Sequence, residues 1–247
     1  MQDEKTIVEG DRSWQIRHMF GQIAHRYDLM NSIISLRLHH RWRRLAVSYA
    51  NPQPGEAVLD VCSGTGDLAI ALAQAVGRQG QVIGIDFCLP MLELARRKVS
   101  LKYSIRNVSL ALGDALCLPL PSDHFACATV GWGIRNVPDI NAAFREMTRV
   151  VRPGGRVVCL DMAKPKFKPM SLAYGFYFYK ILPLLGGLFS RKEAYSYLPN
   201  SVTNFPDRKE LAERMRDAGL TDIHVVDLAW GAVCIHWGVK PCPTQLA

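Results

Sequence analysis

The 247-residue sequence predicts an α/β fold: a doubly wound, mostly parallel seven-stranded sheet with an antiparallel edge and a helical cap. Three observations predict it. Short β-rich runs alternate with helical periodicities from Ala57 onward, the first run leads into a glycine turn, and the last two runs are separated only by a tight turn. Strands separated by helices specify a parallel sheet, whereas two runs joined directly form an antiparallel pair.

Each element follows in order. The opening MQDEKTIVEGDRS has no apolar stretch of the kind a secretory signal needs, so a frayed tail on a cytoplasmic protein is expected. Between residues 13 and 50, Leu38, Trp42, Leu45 and Tyr49 recur on one helical face, with Arg37, Arg41 and Arg44 on another. Residues 1–50 are expected to form the tail and part of a helical cap. In the core, residues 51–163, the alternation reads AVLDVC, DLAIALAQAV, QVIGID, MLELARRKV and VSLALGDA, then FACATVGW, INAAFREMTRVV and GRVVCLDM. Residues 164–204 break it between the fifth strand and its helix. An insertion at the carboxyl end of a strand overhangs the ligand crevice of such a sheet, so this segment is expected to form the rest of the cap. Residues 205–247 finish the sheet with the helix RKELAERMRDAG and the runs DIHVVDLA and GAVCIHWGV, joined at Trp230 and Gly231.

Composition narrows the partners. Apolar residues make up 49% of the chain, enough for a sizeable core, and the net charge of +8 favours nucleic acid or an acidic membrane surface. The seven cysteines contain no CxxC pair and sit mostly in apolar runs, which predicts reduced thiols and no metal site. Residues 172–189 approach membrane-spanning length, but Lys180 lies in the middle, which opposes insertion by roughly 2.5–3.5 kcal/mol. Lys164, Lys166 and Lys168 precede the stretch, and Arg191 and Lys192 follow it. Two readings stand: peripheral contact with an anionic leaflet, or buried helices with solvated ends.

The strand VLDVC runs into SGTGDLA, so Gly64, Gly66 and Ala69 fit the loose G-x-G-x-x-G/A pattern of a Rossmann-like nucleotide fold. Asp86 ends the next strand, where it can accept the ribose hydroxyls. Asp60 lies beneath the loop, and Asp67 falls in the first helical turn, where a dinucleotide would put its pyrophosphate. Two carboxylates there repel phosphate and tolerate a sulfonium and an ammonium, which points to S-adenosylmethionine. Asp114, after the third strand, is placed to accept from an adenine amino group. Asp60, Asp86 and Asp114 thus close three successive strands around one loop. A nicotinamide dehydrogenase is disfavoured by Asp60 and Asp67, and a non-catalytic scaffold by the intact Asp86 and glycines.

These residues resemble those of class I S-adenosylmethionine-dependent methyltransferases, and more closely the C-methyltransferase family of ubiquinone and menaquinone synthesis. The segments HRYDLMNSIISLRLHHRWRR, DVCSGTGDL, GDALCLPLP, GWGIRNVPD, REMTRVVRPGGRVVCLDMAKP and AYSYLPNSVTNFPDRKEL carry the resemblance nearly end to end. It implies cofactor contacts at Thr65, Asp86, Asp114, Ala115 and Gly131, the last standing where many relatives have serine. It also implies a prenylated quinol acceptor, with the menaquinone branch favoured over a benzoquinol precursor of ubiquinone.

Methylating a quinol ring carbon requires positioning the ring and stabilising a phenolate-like anion. Arg135 is assigned to the anion, since a guanidinium with a pKa above about 12 is not a base. Tyr27 is the leading candidate for the ring proton, ahead of His25, His39 and His40, each of which has a packing or surface role as its alternative. Asn136 either orients a quinol oxygen or forms a turn before Val137 and Pro138. Modification of RNA, which the cluster Arg37–Arg44 invites, is disfavoured because the fourth strand is followed by GWGIRN and not by an Asn-Pro-Pro-aromatic turn. No nucleic-acid partner is expected, and a homodimer is left open.

Overall fold

The computed structural model describes residues 9–103, 105–165, 175 and 201–243. Most of the expected cap insertion, 164–204, with the apolar stretch 172–189 and Lys166, Lys168, Arg191 and Lys192, lies outside the described residues.

The chain begins with helices α1 (Glu9–Ile34) and α2 (His39–Ala50). The sheet then builds through β1 (Ala57–Val61), α3 (Asp67–Val76), β2 (Gln81–Asp86), α4 (Leu89–Arg97), β3 (Val108–Leu112), β4 (Phe125–Gly131), α5 (Ile140–Val150) and β5 (Val151–Met162). Helix α6 (Arg208–Asp217) and strands β6 (Thr221–Leu228) and β7 (Val233–Val239) complete it. The strand order is β3-β2-β1-β4-β5-β7-β6. All pairs from β3 to β5 are parallel, while β7 runs antiparallel to both β5 and β6. The closing hairpin is therefore the antiparallel edge expected from the sequence, with β7 slotted between β5 and β6. Trp230 and Gly231 form its turn.

Alternation along the strands explains the two-sided core. In β1, Val58 faces a cluster with Leu68, Leu72 and Val76 of α3, while Leu59 faces the opposite cluster with Phe144 and Met147 of α5 and Leu211 and Met215 of α6. A parallel sheet covered on both faces has to be apolar on both, and all four of these β1 and β4 residues, Val58, Leu59, Ala128 and Val130, are fully buried.

Helix α2 departs from the expectation. It buries His39, Arg43, Ala46, Val47 and Ala50, whereas Leu38 is exposed and Trp42, Leu45 and Tyr49 are half-buried. The buried face is offset from the apolar one because Arg43 turns inward to meet Asp67 at 2.9 Å and to stack over Trp132 at 5.2 Å. Ala46, Val47 and Ala50 join the α3 cluster, so α2 is part of the layer covering the sheet. Among the described helices, α1 reaches over the strand ends.

Candidate functional site

The strand order reverses between β1 and β4, and the crevice beyond their carboxyl ends is where such sheets bind ligands. A cavity of about 380 Å³ opens there. Gly64, Asp86, Asp114, Ala115 and Gly131 line it from the strand ends. Ser13, Phe20 and Tyr27 line it from α1, and Trp132, Gly133 and Asn136 come from the turn after β4.

The strand-end wall is set by backbone. Asp86 accepts from the Gly64 N–H at 2.7 Å and from the Cys88 N–H at 2.8 Å, so one carboxylate fixes both the glycine loop and the start of α4. Burial pushes its pKa up in spite of these bonds. Gly64 and Gly66 have φ of 53° and 79°, and Gly66 sits directly before α3. Two non-glycine residues on the wall share the left-handed region, Cys62 at 55° and Trp132 at 55°. Gly133 allows them to meet, because a Cβ there would lie 2.3 Å from Cys62 Cβ. Asp114 accepts from the Leu116 N–H at 2.9 Å in a tight turn just past β3. At Gly131 an added Cβ would come within 3.1 Å of Leu68, so this wall is drawn in closely.

Several site expectations change. Asp60 does not line the cavity: it lies one residue inside the end of β1, accepts from Thr129 Oγ1 at 2.9 Å, and is raised to about 7, chiefly by burial. Its place under the loop makes it a support for α3 and not a contact surface. Thr65 is not on the wall either, since its hydroxyl donates to Asp28 at 2.6 Å. Gly66 is likewise behind it. Asp67 gives no argument against phosphate, because it meets Arg43 at 2.9 Å and Lys98 at 2.6 Å. Burial pushes its pKa up, but these two cations outweigh that and hold it below the usual range.

Arg135 also stands behind the wall. Its Nη1 donates to Asp161 at 2.6 Å and to the Trp132 carbonyl at 2.8 Å, so it belongs to a buried ion pair and is not a bare cation facing the cavity. Asp161 is 2% exposed, and burial pushes its carboxyl up while Arg135 pulls it back in part. Sequence reasoning missed Asp161, although it lies near the end of β5 as Asp60 and Asp86 do in β1 and β2. Tyr27 does line the cavity, packed edge-on against Phe20. Burial raises its phenol above 10, opposed by the nearby Arg135, a hydrogen bond with Asn31, and Arg43. Tyr27, the sequence's candidate for the ring proton, therefore enters the cavity as a neutral phenol. Asn136 lines the cavity and donates to the Trp132 carbonyl at 3.3 Å. His25, His39 and His40 do not line it. His39 is buried, shares a 2.5 Å hydrogen bond with Ser35, and is driven down to about 4 by burial and Arg43.

A profile of the ubiE/COQ5 methyltransferase family matches residues 6–240. The chain belongs to this family. It is an S-adenosylmethionine-dependent C-methyltransferase, and S-adenosylmethionine is its cofactor. The demethylmenaquinone methyltransferase of Geobacillus sp. (strain WCH70) is 44% identical over 227 residues, covering 92% of this chain and 97% of the relative. That of Bacillus cereus (strain B4264) is 41% identical over 235 residues, covering 95% and 99%. Among solved structures, an S-adenosylmethionine-dependent methyltransferase from Thermotoga maritima superposes with a TM-score of 0.64 at 21% identity, over 90% of this chain and 98% of that one. The cyclase SpnF superposes with a TM-score of 0.67 at 17% identity, over 93% and 97%. These two likenesses show the fold alone, and a cyclase among them illustrates how little the fold says about the reaction.

The cavity fits the cofactor. Asp86 and Asp114 supply acceptors, Ala115, Leu116, Phe87 and Met91 supply apolar surface, and the absence of side chains at Gly64 and Gly131 allows close approach. Among the described residues no cluster could hold a metal ion, and no helix is long and apolar enough to cross a membrane.

Proposed function

We propose that the protein transfers the methyl group of S-adenosylmethionine to a ring carbon of a prenylated demethylmenaquinol. The observation that carries the acceptor is that relatives 41–44% identical over almost their whole length are named demethylmenaquinone methyltransferase. The bound cofactor supplies an electrophilic methyl on a sulfonium. Gly64, Asp86, Asp114, Ala115 and Gly131 would hold it, with Asp86 accepting from hydroxyls and Asp114 from an amino group.

On the acceptor side, Tyr27 as a neutral phenol donates to a ring oxygen and steadies the charge that develops there, and the proton that the methylated ring carbon sheds leaves to solvent water. Asn136 orients that oxygen from the facing turn. Arg135 acts from behind the wall, its positive potential partly offset by Asp161. Phe20 and Trp132 exclude water from the two sides. The acceptor's lipophilic tail gives a reason for work at the cytoplasmic face of a membrane. Incubation with labelled S-adenosylmethionine and demethylmenaquinol is expected to move label into the organic phase. Absence of label there, or faster labelling of a demethylated benzoquinol, refutes the acceptor.

A further inference from the structure

The corner between α1 and α2 is built to hold a leucine in solvent among arginines. Leu36 is 81% exposed and Leu38 43%. Leu36 and Arg37 have φ of 49° and 64°, two consecutive non-glycine residues in the left-handed region, which a fold retains only where its surroundings enforce it. They do so here. The Arg37 N–H donates to the Ser32 carbonyl at 2.8 Å, the Leu38 N–H to the Ser35 carbonyl at 2.9 Å, and Ser35 is tied to both the Asn31 carbonyl and His39 at 2.5 Å. The exposure of Leu36 is thus a property of an ordered turn.

The charge within this stretch of chain has one sign. No aspartate or glutamate occurs between Asp28 and Glu56. Arg37 in the turn and Arg41 and Arg44 on α2 are exposed, with no carboxylate partner among the described residues, while Arg43 turns inward to Asp67. Neither the cofactor nor the core uses the three outward arginines.

We infer that this corner docks the protein on an anionic phospholipid leaflet, with Leu36 and Leu38 entering the headgroup boundary and Arg37, Arg41 and Arg44 meeting lipid phosphates. Aliphatic side chains flanked by arginines are the composition of an interfacial contact. A single-stranded nucleic acid is recognised instead by aromatic faces on which bases stack, and leucine has none. The corner directly follows α1, whose Tyr27 and Phe20 line the cavity, so docking brings the acceptor side of the site to the surface where a prenylated acceptor dissolves. The inference rests on the quinol reading for its purpose only.

The test is co-sedimentation of the full chain with phosphatidylcholine vesicles, with and without phosphatidylglycerol, at 0.1 M salt. The protein is expected to partition at least ~10-fold more strongly onto the anionic vesicles. The triple variant Arg37→Gln, Arg41→Gln, Arg44→Gln is expected to lose ~100-fold, about fivefold per arginine, and Leu36→Asp about 10-fold. Both variants should bind S-adenosylmethionine as tightly as the unaltered chain and methylate a short-chain, water-soluble quinol at its rate. Three results would overturn the proposal: variants that sediment like the unaltered chain, an unaltered chain indifferent to lipid charge, or displacement from vesicles by single-stranded RNA at equal phosphate. If the variants lose vesicle binding as expected but demethylmenaquinol is never methylated, the docking surface stands and the acceptor assignment falls.

Discussion

The two walls of the cavity are held by different forces. The strand-end wall hangs from backbone: Asp86 is clasped by two N–H groups, Trp132 N–H donates to the Leu160 carbonyl at 2.7 Å, and Gly133 fits against Cys62. The α1 wall hangs from side chains. Asp28 takes the Thr65 hydroxyl and meets Lys98 at 2.6 Å, and Lys98 also meets Asp67, which pairs with Arg43 of α2. One wall is as firm as the sheet, and the other is fastened by ions.

The contrast extends to acid. Burial raises Asp86 in the first wall and Asp60 and Asp161 behind it, whereas Asp67 is lowered and His39 is held near 4 beside the second. A carboxylate raised in the folded state binds protons that the unfolded chain has released, so for Asp60 the associated stability is present below about 4 and lost as pH rises towards about 7. A histidine lowered from 6.5 to about 4 acts the other way: its contribution is full above 6.5 and lost as pH falls to about 4. Acidification relaxes the strand-end wall and weakens the fastened one.

Four experiments would break or sharpen this contrast. The largest effect belongs to Asp161→Ala, which strands the buried Arg135 charge beside the firm wall and is expected to reduce stability by about 3–5 kcal/mol in urea unfolding. Next is the pH dependence. Between pH 6.5 and 4 the unaltered protein should lose up to about 3 kcal/mol more than His39→Gln, and equal slopes would remove His39 from the account. Asp86→Asn sets an amide against two donors and should weaken calorimetric binding of S-adenosylmethionine about 10- to 100-fold, some 1.5–3 kcal/mol. Lys98→Met is the smallest and most discriminating. It should open α1 by about 1–2 kcal/mol in hydrogen exchange while β1 and β4 keep their protection, and uniform loosening would show that the walls are not separable.

The same contrast explains what could be read beforehand. Asp86, Asp114 and Gly64 were legible because the carboxyl ends of parallel strands face the crevice, and Gly131 through the family resemblance; the strand-end rule alone also took in Asp60, which Thr129 holds off the wall. Asp161 is a different case: it serves as the partner of Arg135, which lies 26 residues away in sequence. The fastened wall was obscure for a different reason. Asp67 looked like an open carboxylate because its cations lie 24 and 31 residues away in sequence, and helical periodicity cannot show that Arg43 turns inward. Thr65 was legible as a loop residue, but not as the partner of Asp28, which is 37 residues away. Long-range side-chain pairing leaves no periodic trace, and it fastens α1 alongside the apolar packing of Phe20, Ala24 and Tyr27 on Cys88 and Met91.

The position of β7 between β5 and β6 has a consequence for synthesis on the ribosome. Strand β6 is made first, yet its one neighbour among the described residues is β7, so it cannot pair there until residues 233–239 have followed it. Strand β6 therefore waits unpaired until β7 has been made, and the sheet closes last on its antiparallel side.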